Sequence, residues 1–146
     1  MSNYLDLEIK EINRLLKEKK ILPIDLVNEA FSRIENSDLN CFITLNKEEA
    51  IKKAKELENK EVSNVLFGIP IAIKDNICTK GLRTTCASKI LENFVPIYDA
   101  FVVEQLKLND MIIIGKLNMD EFACGSTNRT SYFGKCLNPW NKKCIP

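Results

Sequence analysis

Lys74 is the residue of this chain whose type and position best fit catalytic chemistry. It follows the apolar run 68–73, in a sequence of 146 residues that contains no histidine. We expect an amine at this place to be drawn toward the interior, where burial disfavours the charged ammonium. A neutral lysine amine can act as a general base where no imidazole is available. The alternative is that Lys74 only marks the point at which a strand reaches solvent, because most lysines are exposed.

Two short polar clusters each follow a predicted strand. Residues 74–76 follow the strand predicted at 69–73, and residues 115–118 follow the strand predicted at 111–114. Ligands bind beyond the carboxyl ends of strands in open α/β sheets. We therefore expect the two clusters to converge on one site. By fold analogy alone, this favours a functional role for Lys74.

The composition is that of an ordinary soluble protein. The chain is 45% hydrophobic and 28% charged, with a net charge of +1. This balance gives no sign of a nucleic-acid surface or an acidic partner. Its longest apolar stretches, such as 111–114, are far too short to span a bilayer, and the N-terminus has no signal-peptide pattern. We expect a cytoplasmic protein without a membrane partner.

The cysteines do not form a metal-site pattern. No two of them make a C-x-x-C pair, and no histidine can join them, which argues against a zinc site. Without a secretion signal, the oxidising compartment that favours disulfides is also missing. We expect no metal and free, mostly buried thiols at Cys41, Cys78, Cys86, Cys124, Cys136 and Cys144.

Apolar residues at helical spacing dominate the first part of the chain. Pro23 fits the first turn of a helix, and Asn46 with Glu49 fits a capping box at the start of another. The helix that follows Asn46 is mostly charged, and one face of it is predicted to be exposed to solvent. We predict helices at 4–19, 23–36 and 47–59, which make 1–60 a helical N-terminal segment.

A strand–helix–strand order follows and predicts a βαβ unit with a parallel pair of strands, in an α/β core. Its helix is predicted to be capped by Asp99 and to run through Leu108. The second strand is predicted to end at Gly115. The other expected elements are a loop at 75–86, a short helix at 87–94 and a loop-rich stretch from Lys116 onward.

Several strings of the sequence resemble the amidase signature family. The first is Gly68–Ile77, which resembles the lysine motif of that family. Within the family, Thr84–Lys89 and Met119–Ala123 most resemble one branch, the A subunits of glutamyl-tRNA(Gln)/aspartyl-tRNA(Asn) amidotransferases. The remaining matching strings are Lys89–Leu91, Tyr98–Ala100, Gly115–Asn118, Gly125-Ser126, Tyr132–Gly134 and Asn138–Trp140.

The resemblance covers nearly the whole chain and is firmest from 65 to 140. It implies a partial amidase domain over 1–146, in which 65–146 is the start of the α/β core. The implied fold is the N-terminal part of the amidase signature fold, a mixed sheet flanked by helices that is incomplete in this chain.

The resemblance also implies a mechanism. Members of the family use a Ser-cisSer-Lys triad, in which the lysine acts as general base through the bridging serine and a second serine attacks the amide. Lys74 matches the lysine. Both serines belong to a glycine-rich segment that in the family follows a proline like Pro146, and this sequence does not include that segment. We therefore expect the 146-residue chain alone to be inactive.

By the same resemblance, Cys124, Gly125 and Ser126 are expected to bind substrate. Four positions depart from the branch pattern and weaken detailed statements about the pocket. Cys124 stands where a methionine is usual, Arg129-Thr130 stands where Glu-Asn is usual, and Cys144 stands where an arginine is usual.

The implied reaction is glutamine hydrolysis, which supplies ammonia to the B and C subunits of the complex. The partner would use ATP and Mg and make most of the tRNA contacts, so no cofactor is expected in this chain. Two other hypotheses stay open. One is a fragment of a general small-amide hydrolase, and the other is a non-catalytic docking fragment that binds through its N-terminal helices.

Overall fold

The computed structural model describes residues 3–146, and within them the chain forms four α-helices and a three-stranded sheet. The helices are α1 (Ile9–Lys17), α2 (Pro23–Glu35), α3 (Lys47–Leu57) and α4 (Phe101–Leu108), and the strands are β1 (Phe42–Leu45), β2 (Pro70–Lys74) and β3 (Ile112–Leu117). Short 3-10 turns occur at Tyr4–Asp6, Lys89–Leu91 and Glu121–Ala123.

β3 lies between β1 and β2 in the sheet. Ile112 N donates to Ile69 O at 3.0 Å, and Asp75 N donates to Leu117 O at 3.1 Å. Because the partners advance in the same direction along both segments, β2 and β3 are parallel, as the sequence predicts. β1 is antiparallel to β3, so the sheet is mixed and the expected α/β fold is confirmed.

Gly115 lies inside β3, so the prediction that the strand ends there is wrong. It pairs with Leu45 of β1. A Cβ at this position would lie 2.5 Å from Thr44 O and 3.0 Å from Phe42 Cδ1. The glycine therefore allows β1 to approach, and the strand continues through Lys116 to Leu117.

The chain divides into two compact units. The first comprises Met1–Asn36, Asn46–Ile71 and Glu104–Ile114, and the second comprises Ser37–Leu45, Ala72–Val103 and Gly115–Pro146. The predicted division into a helical segment 1–60 and an α/β core 65–146 stays a prediction, and residues 1 and 2 of that segment lie outside the described residues.

The core of the first unit is built from the apolar faces of its helices. α2 buries the apolar residues Leu26, Val27, Ala30 and Phe31 and packs against α3. The charged residues of α3 are exposed, except for the half-buried Lys53, which donates to Asp110 Oδ1 at 2.7 Å. The predicted solvated face is therefore confirmed. A connected cluster of buried side chains comprises Ile12, Leu16, Ile21, Leu26, Ile69 and Met111.

The helix predicted at 4–19 is interrupted, and Glu29 of α2 supplies the physical reason. Its carboxylate is 7% exposed and accepts hydrogen bonds from Tyr4 N at 2.9 Å and Leu5 N at 3.3 Å. These tertiary bonds hold the first turn in 3-10 geometry. Leu7 is then extended, and α1 begins only at Ile9.

The predicted capping box of α3 is wrong. Asn46 precedes the helix, but its Nδ2 donates to Ile113 O at 2.9 Å and its side chain does not cap the helix. A hydrogen bond of the capping-box type occurs instead at α2, where Leu22 N donates to the side chain of Asp25, three residues later, at 2.8 Å. The long-range hydrogen bond from Asn46 to Ile113 therefore forms in place of the helix cap that the local sequence pattern predicts.

No helix within residues 3–146 is long and apolar enough to cross a membrane. In the same residues, no group of three or more histidine, cysteine, aspartate or glutamate side chains could hold a metal ion.

We expect Gly115→Ala to lower the free energy of unfolding by about 3 kcal/mol, since the added methyl group meets a backbone oxygen that cannot move aside. Gly81→Ala is the matched control. Nothing lies within 4 Å of its Cβ position, and only its φ of +75° is unfavourable, so a loss of about 1 kcal/mol is expected. Urea unfolding followed by circular dichroism measures both. A larger loss for Gly81→Ala than for Gly115→Ala would contradict this account of the β1–β3 approach.

Candidate active site

Lys74 is the last residue of β2, and its side chain is exposed. The expectation that the apolar run would draw this amine into the interior is therefore wrong for the described chain. The preceding Ile73 is buried, and successive side chains of a strand point to opposite faces. The run buries Ile73 and directs Lys74 the other way.

Asp75, the residue directly after Lys74, is fully buried. Its Oδ2 accepts a hydrogen bond from Thr85 N at 2.9 Å and another from the Thr85 hydroxyl. Ala87 N also points to this oxygen, at 3.4 Å, and Cys86 N donates to Asp75 O at 3.0 Å. Asp75 thus joins the end of β2 to the turn 85–87 through side chain and backbone together.

The other carboxylate oxygen, Asp75 Oδ1, is buried and has no hydrogen-bond partner within residues 3–146. Buried polar atoms are nearly always paired, so an unpaired one calls for a physical explanation. Lys116 provides part of this explanation. The charge of Asp75 favours the ammonium form of Lys116, so the buried carboxylate has an oppositely charged neighbour.

Lys116 of β3 is the lysine that the fold buries completely. Its Nζ donates to Ile77 O, to Thr79 Oγ1 at 3.2 Å and to Thr84 Oγ1 at 2.9 Å. Burial lowers the pKa of Lys116, and the charge of Asp75 acts in the opposite direction. The polar clusters after the two strands therefore do converge, since Asp75 N donates to Leu117 O at 3.1 Å. The side chain of Lys116 itself binds the loop 77–84.

The turn after this loop is strained. Cys86 and Ala87 have φ values of 52° and 54°, and Phe122 and Ala123 have φ values of 51° and 60°. Non-glycine residues in this left-handed region are uncommon and cluster at functional sites. The two strained pairs are joined, since Phe122 N donates to Cys86 O at 2.9 Å.

This strain explains why the helix predicted at 87–94 is wrong beyond one 3-10 turn, Lys89–Leu91. Ser88 is fully buried, and its hydroxyl donates to Glu121 Oε1 at 2.6 Å while accepting from Ile90 N at 3.3 Å. Thr84 N donates to Phe94 O at 3.0 Å. Ala87 O, the first acceptor that a helix over 87–94 would need, accepts instead from Tyr132 N at 2.9 Å.

Asp120 organises the loop that carries the predicted substrate-binding residues. Its Oδ2 accepts from Thr127 N at 3.0 Å and Asn128 N at 2.8 Å, and its Oδ1 accepts from Thr130 N and Oγ1. Burial raises the pKa of Asp120, but these hydrogen bonds outweigh it and lower the pKa to about 2. A Cβ on Gly125 would lie 2.5 Å from Asp120 Cγ, so the loop closes tightly over the carboxylate.

The predicted substrate-binding residues Cys124, Gly125 and Ser126 are all exposed on this loop. A continuous series of hydrogen bonds leads from Asp75 through the turn 85–87 and the Phe122 backbone to the same loop. Lys74 and the loop are thus held by one network. Their roles in substrate binding and catalysis stay predictions.

Asp75, Lys116 and Asp120 are the residues that sequence reasoning missed as components of the site. Asp75 and Lys116 lie inside the polar clusters that the sequence analysis singled out, so their positions were available. The burial of Asp75 and Lys116 could not be predicted. It depends on segments such as 77–85 that pack over these side chains, and no local sequence pattern indicates this packing. For Asp120, the sequence showed only that it lies in the string Met119–Ala123.

A scan against protein-family models matches the amidase model to residues 25–146. The chain belongs to the amidase family. The fold and the lysine motif agree with this assignment, which rests on most of the chain.

Two curated relatives of this amidase-family chain carry the name of the A subunit of glutamyl-tRNA(Gln) amidotransferase. The protein from Listeria welshimeri is 56% identical over 145 residues, covering 97% of this chain and 30% of its own length. The protein from Geobacillus kaustophilus is 53% identical over 147 residues, with the same shares of 97% and 30%. The chain therefore spans about 30% of the length of the curated relatives it matches and corresponds to their N-terminal part.

Solved structures agree with the family. The A subunit of glutamyl-tRNA(Gln) amidotransferase from Thermotoga maritima superposes with a TM-score of 0.79 at 36% identity, covering 100% of this chain and 30% of that one. The peptide amidase from Stenotrophomonas maltophilia superposes with a TM-score of 0.85 at 25% identity, covering 96% of this chain and 31% of that one.

We expect Asp75→Ala to lower the free energy of unfolding by about 3 kcal/mol, because it leaves the buried N–H and hydroxyl donors of Thr85 without their acceptor. Asp75→Asn should cost only about 1 kcal/mol, since its amide oxygen can replace Oδ2 while its NH₂ takes the place of the unpaired Oδ1. Urea unfolding monitored by circular dichroism measures the difference. Equal losses in the two variants would show that Oδ2 does not anchor the turn 85–87.

The loop held by Asp120 should open in acid. Its folded-state pKa is lowered from 3.8 to about 2, so the carboxylate stabilises the loop fully above 3.8 and loses this effect as the pH falls through 2. We expect the hydrogen-exchange protection factors of the amides of Thr127, Asn128 and Thr130 to fall across that window. In Asp120→Asn they should be low at about pH 5 and show no such transition. Wild-type protection that persists unchanged below that window would contradict this role.

Proposed function

We propose that this chain is the N-terminal portion of the A subunit of a glutamine-hydrolysing amidotransferase. The support is the name shared by its relatives at 53–56% identity, together with the lysine motif on β2. The whole protein would release ammonia from glutamine and deliver it for transamidation of misacylated Glu-tRNA(Gln) or Asp-tRNA(Asn).

In this proposal, Lys74 is the general base. An amide is a poor electrophile, so its hydrolysis requires an activated serine and stabilisation of the oxyanion. Lys74 would take the proton of a bridging serine, which in turn activates the nucleophilic serine. Both serines would come from the remainder of the whole protein. Two of the serines near the site in this chain are committed elsewhere, since Ser88 donates to Glu121 and Ser131 donates to Asn118.

A lysine can act as a general base only as the neutral amine, since an ammonium group has no lone pair to accept a proton. We propose that further chain segments exclude water from Lys74 before catalysis. The anchor supplied by Asp75 supports this role, because it holds the lysine's own backbone in place while the other groups assemble. General-base catalysis depends on geometry of this kind before it depends on pKa.

Large exposed apolar side chains support a longer protein. Ile90, Ile97, Phe101 and Trp140, all in the second unit, are between 74% and 92% exposed. Large exposed apolar side chains mark an interaction site where they lie together on a folded protein. We propose that the remainder of the whole protein covers these side chains.

The proposed partners are the B and C subunits of the same complex, acting in the cytoplasm. ATP and Mg would be used by the partner, so this chain needs no cofactor of its own. The net charge of +1 supports assigning most tRNA contacts to a partner, because binding to a phosphate backbone calls for many basic residues.

A second function has specific support. The structural match to a peptide amidase favours a general small-amide hydrolase that needs neither tRNA nor the other members of the complex. The two functions differ in their dependence on the B and C subunits and in their substrate.

A chimera tests the first proposal. Residues 1–146 replace the matching segment of the Listeria welshimeri protein, and ammonia release from glutamine is measured with the B and C subunits present. We expect activity in the chimera and a loss of about a hundredfold to ten-thousandfold in Lys74→Ala, the usual contribution of a general base. The 146-residue chain alone should release no ammonia.

Lys80→Ala is the matched control, because Lys80 is an exposed lysine of the same region without a proposed role, and it should leave turnover unchanged. Undiminished turnover in Lys74→Ala would remove the lysine from the mechanism. Hydrolysis of simple aliphatic amides by the chimera, with no gain from the B and C subunits, would favour the small-amide hydrolase.

A further inference from the structure

Two segments far apart in the sequence, 38–41 and 133–137, lie side by side in the second unit. Leu137 N donates to Leu39 O at 2.9 Å. Asn40 Nδ2 donates to Phe133 O at 3.0 Å, and Asn118 Nδ2 bridges the pair by donating to Asn40 O at 3.0 Å and Gly134 O at 2.9 Å. These bonds hold the two segments together without any covalent link.

Each segment carries one cysteine, and the two sulfurs meet. Cys41 Sγ lies 3.3 Å from Cys136 Sγ, and both residues are half-buried free thiols. A disulfide requires about 2.05 Å between the sulfurs, so an approach of about 1.3 Å would close the bond. The backbones are held as well, since Asn118 N donates to Cys41 O at 2.8 Å and Cys136 N donates to Asn128 Oδ1.

We propose that Cys41 and Cys136 form a reversible oxidative cross-linking site. Hydrogen peroxide oxidises the Cys136 thiol to a sulfenic acid and is reduced to one water molecule. The Cys41 sulfur then attacks the Cys136 sulfur, the S–O bond breaks, and the disulfide forms with release of a second water molecule. A dithiol such as dithiothreitol reverses the reaction by thiol–disulfide exchange.

The order of the two steps follows from the environment of Cys41. Burial and the neighbouring Cys136 raise the pKa of Cys41 to about 11. The thiolate is the form that reacts, so a cysteine with this pKa is a slow first target for peroxide. Cys41 is therefore assigned as the resolving thiol, which reacts because it lies against the oxidised sulfur.

The first experiment uses the chain in which Cys78, Cys86, Cys124 and Cys144 are all replaced by serine. After hydrogen peroxide treatment, we expect both remaining thiols to be lost, the mass to fall by two hydrogen atoms, and one non-reduced peptide to contain Cys41 and Cys136. Dithiothreitol should restore both thiols. Retention of both thiols, or cross-links only between separate chains, would overturn the proposal.

If this variant does not fold, peptide mapping of the oxidised wild-type chain decides the same question by locating its disulfide. Two single variants then test the order of steps. Cys41→Ser should accumulate a sulfenic acid at Cys136 that a β-diketone reagent traps, and Cys136→Ser should form neither product. Cys124→Ser, which removes an exposed thiol, is the matched control and should cross-link as the wild type does. A bridge between any other pair of cysteines would refute the assignment.

Discussion

The carboxylate of Asp75 lies out of reach of water, so its charge and its hydrogen-bonding capacity have to be met by protein groups. Oδ2 meets this demand through Thr85 and Ala87, and the ammonium of Lys116 supplies the compensating charge. Because Asp75 directly follows Lys74, the same contacts that satisfy the carboxylate also hold the backbone of the lysine in place. The arrangement of the candidate site depends on this one buried carboxylate and the donors that meet it.

Two strained backbone turns are connected to the buried carboxylate of Asp75. The turn at Cys86 and Ala87 is left-handed, as is the turn at Phe122 and Ala123, and one backbone hydrogen bond joins the two. Such conformations cost free energy and persist only where the surrounding contacts enforce them. Here the enforcing contacts are carboxylates with several donors each, Asp75 on one side and Asp120 on the other. The exposed Lys74 and the exposed loop 124–126 are thus both tied to buried carboxylates.

The elements that sequence reasoning predicted well are those whose signal is local and periodic. α2 and α3 agree with their predicted spans to within two residues at each end, and the predicted parallel pair is present. The predictions that failed concern segments claimed by distant partners. Glu29 draws off the backbone donors of residues 4 and 5, and Ser88 with Glu121 reshapes 87–94. Asn46 pairs with the sheet and does not cap its own helix.

The sequence by itself determined the family of this chain, its periodic helices and strands, and the place of the lysine motif at the end of a strand. These properties depend on the order of residues along a short stretch. Only the tertiary structure decided which lysine is buried, and it buried Lys116 while leaving Lys74 exposed. Burial depends on which distant segments pack over a side chain, and no short stretch of sequence contains that information.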